Sequence, residues 1–227
     1  MRKTTLFFIL MLAFGLASAH AGVIIGGSRM VYEGNEKEKA ISVENPDAFS
    51  FLIQSWIEDA TGNMIKDNAP FIVTPPLFRL DGKQKNLLRI IRTENSLPQD
   101  RETLLWLNIK SIPAKSDTEH NTLQIAVRTR LKLIFRPESL VDETPEQHVQ
   151  KLEWKKKGNQ LVVINPSKYL MNFMFIRINN KKVVDGGVVM PESSAAFDLP
   201  SGETAGEISW KLINDYGGTG PVHLNKI

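Results

Sequence analysis

The chain has 227 residues, no cysteine, and 28 Lys+Arg against 25 Asp+Glu, a formal charge of +3. The absence of cysteine excludes disulfides, thiolate metal sites and a cysteine nucleophile together. Removing a leader with two basic residues leaves 26 against 25, so no global field of one sign is available for nucleic acid.

Residues 1–21 read as that leader. Arg2 and Lys3 precede an apolar run, Leu6–Leu16, and Ala19-His20-Ala21 supplies a small-x-small cleavage pattern. A Sec signal cut after Ala21 makes the mature chain extracytoplasmic. No second apolar stretch approaches the ~18 residues of a membrane helix.

Short alternating runs follow: GVIIGGSRMVYEG, KAISVENP, FSFLIQSWIED, NLLRIIRT and TLLWLNIKSIP. Turn signals separate them at Glu33-Gly34-Asn35, Asn45-Pro46-Asp47, Ala60-Thr61-Gly62-Asn63 and Asp81-Gly82-Lys83. This spacing is the signature of an all-β sandwich. The best candidate for a short helix is Leu97–Glu102, with Pro98 in its first turn.

The stretch TLQIAVRTRLKLIFRP, 122–137, keeps a two-residue rhythm for an unusual length. Leu123, Ile125, Val127, Leu131, Leu133 and Phe135 share one parity, and Arg128, Arg130, Lys132 and Arg136 the other. Strands average about 5–6 residues, so an ordinary sandwich does not cover such a row. Two readings stand. Either the whole row is core and the basic residues are solvated, or Leu123, Ile125 and Val127 are offered to a partner chain by β-augmentation. In the second reading Arg29 and the basic parity suit a carboxylate, most simply a chain terminus. Leu123 and Lys132 differ in parity, so a bulge or strong twist near Thr129 is expected if both face one ligand.

PESLVDETPEQH, Pro137–His148, is polar and carries two prolines, the composition of a linker. Strand-like runs then resume: KLEWKKKG, QLVVINP, NFMFIRIN, KKVVD, SAAFDLP, EISWKLIND and VHLNK. The division is therefore a first all-β domain over 22–140 and a second over 149–227.

Catalytic signals are weak. His20, His120, His148 and His223 have no metal-ligand spacing, and no GxSxG elbow occurs. DYGGTG at 215–220 lacks the Lys-Ser/Thr of a phosphate loop and reads as a turn. Neither a cofactor nor a metal is expected. A two-domain adhesin or carbohydrate-binding protein is the alternative to a chain-capturing one. It calls for an aromatic platform on loops, whereas Trp56, Trp106, Trp154 and Trp210 all lie inside strand patterns.

Several motifs in fixed order resemble the periplasmic chaperones of the chaperone–usher pathway, which escort pilus subunits. They are GGSRMVYEG (26–34), TPPLFRL (74–80), LPQDRETLLWLNIKSIP (97–113), TRLKLIFRP (129–137) and INDYGG (213–218). The resemblance implies two immunoglobulin-like β-sandwich domains in an L-shape with a cleft between them. It implies that Arg29 and Lys132 anchor a subunit's C-terminal carboxylate. It further implies that a donor strand within 121–136 fills the groove left by the subunit's missing strand, using Leu123, Ile125, Val127 and the weaker candidate Asn121. Glu102, Arg136 and Asp215 match charged positions that tie the two domains together. Implied partners are pilus or fimbrial subunits in a 1:1 complex, an outer-membrane usher, and a second copy in a self-capping dimer. The short loop Ala114–Asn121 and the missing cysteine pair resemble the short-loop subfamily.

Overall fold

The computed structural model describes residues 22–65, 68–93, 97–114, 123–203 and 205–227. The expected signal segment, the loop 115–120 and Asn121 lie outside the described residues.

Two sheets form the first sandwich. Strands β1 (Ile24–Ile25), β3 (Glu38–Glu44), β7 (Lys85–Arg92) and β5 (Phe71–Thr74) make one sheet, in the order β1-β3-β7-β5. Strands β2 (Arg29–Glu33), β9 (Val127–Arg136), β8 (Thr103–Pro113), β4 (Phe51–Glu58) and β6 (Leu77–Leu80) make the other, in the order β2-β9-β8-β4-β6. Alternation along each strand sends one parity inward, as a half-buried strand requires. The resulting core includes Tyr32, Ile53, Leu88, Ile90, Leu107, Leu133 and Phe135, all with no measurable exposure.

The first segment of the chain serves both sheets. Ile24 pairs with Glu44 in the first sheet, and after Gly26–Ser28 the chain crosses over, so that Arg29 pairs in parallel with Lys132 in the second. The crossover passes so close to β3 that a Cβ on Gly26 would lie 2.2 Å from Ser42 Oγ. Only glycine allows that approach. The consequence for β9 is central. It is flanked by β2 from Lys132 to Arg136 and by β8 along its length, but Val127–Leu131 pair with no strand on the β2 side among the described residues.

The second sandwich packs β10 (Glu153–Lys157), β11 (Gln160–Asn165) and β14 (Ser193–Asp198) on β13 (Lys181–Val189), β12 (Met171–Ile178), β15 (Glu207–Leu212) and β16 (His223–Lys226). Trp154 and Trp210 lie in its core with ring centroids 4.6 Å apart. A shared device closes one end of each sandwich. The side-chain amide of Asn45 donates to the carbonyls of Phe49, Leu80 and Asp81, and its oxygen accepts from Asp47 N. Asn165 does the same for Tyr169, Val189 and Met190, accepting from Ser167 N. Both asparagines are fully buried and both precede proline. Each satisfies carbonyls that the sheets leave unpaired.

Three expectations are corrected. Leu97–Glu102 is a series of bends, not a helix. It has no apolar stripe to bury, and Glu102 is drawn into the domain interface. The polar stretch after Pro137 is ordered rather than a loose linker. It forms 3₁₀ turns at Glu138–Leu140 and Pro145–Lys151, the second with a Thr144/Gln147 capping box. Tyr169 Oη donates to Leu140 O at 3.0 Å, and His223 Nε2 lies 2.5 Å from Glu146 Oε1. Finally, no bulge occurs at Thr129. The β8–β9 register runs unbroken from Ser111↔Val127 to Thr103↔Phe135. Leu131, Leu133 and Phe135 therefore enter the core, while Lys132, Ile134 and Arg136 face outward.

That outward face meets the second sandwich. Val31, Leu104 and Ile134 bury against Leu170, flanked by Trp106, Val188 and Met190. The apolar patch holds the domains together on one side and leaves a cleft on the other.

Candidate functional site

At the interface Arg136 is 3 % exposed and carries two carboxylates. Its Nε donates to Glu102 Oε1 at 2.6 Å, and Nη1 and Nη2 donate to Asp215 at 2.7 and 3.1 Å. Glu102 Oε2 accepts from Leu170 N at 2.7 Å, and Glu102 N donates to Lys168 O at 2.9 Å. Burial pushes the Glu102 carboxyl up, while Arg136 and the Leu170 amide pull it back. Burial also opposes the Arg136 charge, but both carboxylates together hold it firmly protonated. The triad is thus a charged, fully bonded clasp between the domains. It unites the three residues expected there, and its hydrogen bonding makes it structural.

Beside the clasp stand two cations of the opposite character. Arg29 and Lys132 are direct neighbours across the β2–β9 ladder. Arg29 Nη1 reaches Ile213 O at a long 3.4 Å, and its Nε is buried with no acceptor. Neither residue has a carboxylate within ion-pair distance among the described residues; Asp215, whose charge acts on Arg29, is committed to Arg136. Burial lowers the pKa of Arg29, with Asp215 opposing. Burial also lowers that of Lys132, and the adjacent Arg29 adds to it. Two half-buried like charges side by side are unfavourable unless an anion joins them. Arg29 lines a cleft of about 300 Å³ together with Ser28, Asp215 and Tyr216.

The apolar row is open. Leu123 is 87 % exposed, Ile125 63 % and Val127 54 %. They continue the inward parity of β9 beyond the point where its own sandwich can cover it. β9 itself starts at Val127, where its pairing with β8 ends at Ser111, later than the alternation predicts. Asn121, the fourth residue expected in this row, lies outside the described residues.

Sequence reasoning missed the support of the basic parity. Arg130 lies 4.1 Å and Lys132 Nζ 5.6 Å from the Trp106 ring centroid, and Arg128 lies 5.1 Å from that of Trp56. Arg128 also donates to Glu58 at 2.6 Å and to Asn108 at 2.9 Å. Trp56 and Trp106 thus have cations on their faces, the opposite of a bare sugar platform. The available signal was that both tryptophans share strand parity with polar residues.

The fold is that of a two-domain β-sandwich protein with an unpaired strand edge at its interdomain cleft. Residues 22–141 match the family described as Pili and flagellar-assembly chaperone, PapD N-terminal domain, and residues 147–223 match Pili assembly chaperone PapD, C-terminal domain. The chain is 41% identical over 208 residues to the chaperone protein FocC of Escherichia coli, covering 90% of this chain and 89% of that protein. It is 41% identical over 220 residues to FimC of Escherichia coli K12, covering 95% and 88%. A solved complex of the Salmonella enterica SafA pilin with the SafB chaperone matches with a TM-score of 0.83 at 33% identity, over 93% of this chain and 99% of that one. The chain belongs to the PapD-type pilus-assembly chaperones of the chaperone–usher pathway.

Proposed function

We propose that this protein captures a pilus subunit by adding its β9 edge to the subunit's incomplete sheet, with Arg29 and Lys132 gripping the subunit's C-terminal carboxylate. The carrying observation is the coincidence of an open strand edge and two unneutralised cations at its closed end. A strand laid on the free edge of Val127–Leu131 continues the line of β2. To end with its carboxylate at Arg29 it must run in the direction of β2, and therefore parallel to β9. Val127 and Leu123 are five and nine residues before Lys132, which puts them about 16 and 30 Å from the anchor at ~3.3 Å per residue. The anchor thereby sets which pockets of the subunit receive the apolar row.

The energies show why both parts are needed. Burying three such side chains contributes roughly 5–8 kcal/mol, and a charge-assisted carboxylate contact about 1.5–3 kcal/mol. Association costs at least ~4 kcal/mol in lost freedom. Neither part alone leaves a useful margin.

The remaining features fit this reading. Residues 1–21 serve as a Sec signal removed after Ala21, delivering the mature chain to the periplasm. The units 22–140 and 149–227 act as the donor-bearing and clasping domains. The captured subunit is held 1:1 and passed to an outer-membrane usher without a cofactor, when the next subunit's own segment displaces β9. A free chaperone can shield its row against a second copy. Co-expression of the chaperone with pilus subunits encoded beside it, followed by affinity purification, tests the proposal. A stoichiometric complex with the wild type and none with Arg29→Ala is expected; undiminished capture by folded Arg29→Ala and Lys132→Ala would refute it.

A further inference from the structure

The turn that follows β15 brings one residue of the second sandwich to the cleft of Arg29, and its side chain has no hydrogen-bond partner among the described residues. Tyr216 is 97 % exposed. Large aromatic groups gain by burial, yet this one stands clear of either core, on a turn whose backbone is braced by hydrogen bonds. Asn214 Oδ1 accepts from Tyr216 N at 3.1 Å and from Gly218 N at 2.8 Å, and Asn214 N donates to Gly218 O at 2.8 Å. The preceding residue, Asp215, is locked to Arg136. The following residue, Gly217, has φ +86°, and a Cβ there would lie 2.5 Å from Ser28 Oγ, so the turn rests directly against the residue before Arg29.

The backbone at Tyr216 is therefore held in place. The residue borders the cleft that contains Arg29 and also a second hollow of about 130 Å³, whose other walls include Pro145, Leu212 and Ile213. A carboxylate on Arg29 sits in a cleft that this turn borders, since Arg29, Asp215 and Tyr216 line it together and Arg29 Nη1 lies 3.4 Å from Ile213 O. A tyrosine offers a flat apolar face with few rotors to freeze, which makes it an effective contact residue.

We infer that Tyr216 is a specificity-determining residue. It packs its ring on the C-terminal side chain of the captured strand and favours a bulky apolar or aromatic residue there. This rests on the capture reading above, and it gives the second sandwich a part in choosing the client rather than only in bracing the first.

The test uses the full mature chain and two dye-labelled peptides of alternating threonine and valine with a free carboxylate, one ending in Phe and one in Ser. Binding is followed by fluorescence anisotropy. The wild type is expected to prefer the Phe-ended peptide. Tyr216→Ala, at a fully exposed position, should weaken that peptide about three- to ten-fold and leave the Ser-ended one within about two-fold. Tyr216→Phe should behave as wild type. Arg29→Ala, or a C-terminal carboxamide, should weaken both peptides alike, which checks the capture reading separately. If Tyr216→Ala changes neither peptide, or both equally, while the Arg29 and carboxamide arms respond, the inference on Tyr216 falls and capture stands. If the Arg29 and carboxamide arms do not respond, or the wild type binds neither peptide, both fall.

Discussion

Lys132 is predicted to cost the free protein stability, and Lys132→Met separates that cost from its use. Lys132 Nζ lies 5.6 Å from the Trp106 ring centroid, and a methionine there can pack its thioether on the same ring. What disappears is a half-buried ammonium beside the Arg29 guanidinium, with no carboxylate in reach among the described residues. Relieving a cross-strand like-charge pair is worth about 1 kcal/mol, the top of the usual range because both groups are half-buried. On a sandwich of this size that raises Tm by about 3–5 °C. The same substitution removes a charge-assisted contact worth about 1.5–3 kcal/mol, weakening capture roughly 10- to 150-fold. Calorimetry on the free protein and titration with a subunit peptide measure the two effects. A lowered Tm would show that Lys132 is already neutralised within the chain. Unchanged affinity would show that the anchor lies elsewhere.

Ile125→Asp should leave the free energy of unfolding in urea within about 0.5 kcal/mol of wild type, since the residue is 63 % exposed, and should abolish co-purification of subunit. Unfolding of that variant would return Ile125 to a core role. Asn165→Ala strands the carbonyls of Tyr169, Val189 and Met190 in a fully buried site and should destabilise the second sandwich by about 2–3 kcal/mol; a loss under ~1 kcal/mol in equilibrium unfolding would mean water replaces the amide. Capture should also depend on alkaline pH. The free Lys132 ammonium, its pKa lowered by burial and by Arg29, releases its proton below the usual lysine range. A bound carboxylate favours the charged form, so affinity is complete below that lowered pKa and falls as pH rises through it. Stability of the free protein moves the other way, rising over the same interval. Peptide titrations toward high pH should show the decline early in wild type and later in Lys132→Arg; identical profiles would remove Lys132 from the contact.

Much of this protein is written in local pattern. Alternation along 122–137 predicted the strand that forms over Val127–Arg136, the Asn-Pro pairs marked the ends of β3 and β11, and the resemblance of their motifs to a chaperone family singled out Arg29 and Lys132. Periodicity identifies which side chains share a face, because a strand repeats every two residues wherever it lies. It does not say whether that face is covered. The odd parity of β9 is buried at Leu131, Leu133 and Phe135 and bare at Val127, Ile125 and Leu123. The change comes from a distant event, the crossing of the first strand between sheets at Gly26–Ser28, which ends the cover at Arg29.

The misreadings have the same origin. Leu97–Glu102 carries helix-start residues, yet Glu102 is claimed by Arg136 and Leu170, far along the chain. The bulge at Thr129 was required only while anchor and apolar row were assumed to face one way. The unbroken register puts them on opposite faces of one strand. Trp56 and Trp154 look alike in sequence, but one lies beneath an arginine at the surface and the other in a core. Composition and alternation thus determined two runs of sandwich strands and one over-long strand, and the family resemblance added the pair Arg29 and Lys132. Only the long-range pairing of sheets decided where that strand is left without a neighbour, because an unpaired edge is a property of two segments and cannot be read from either one.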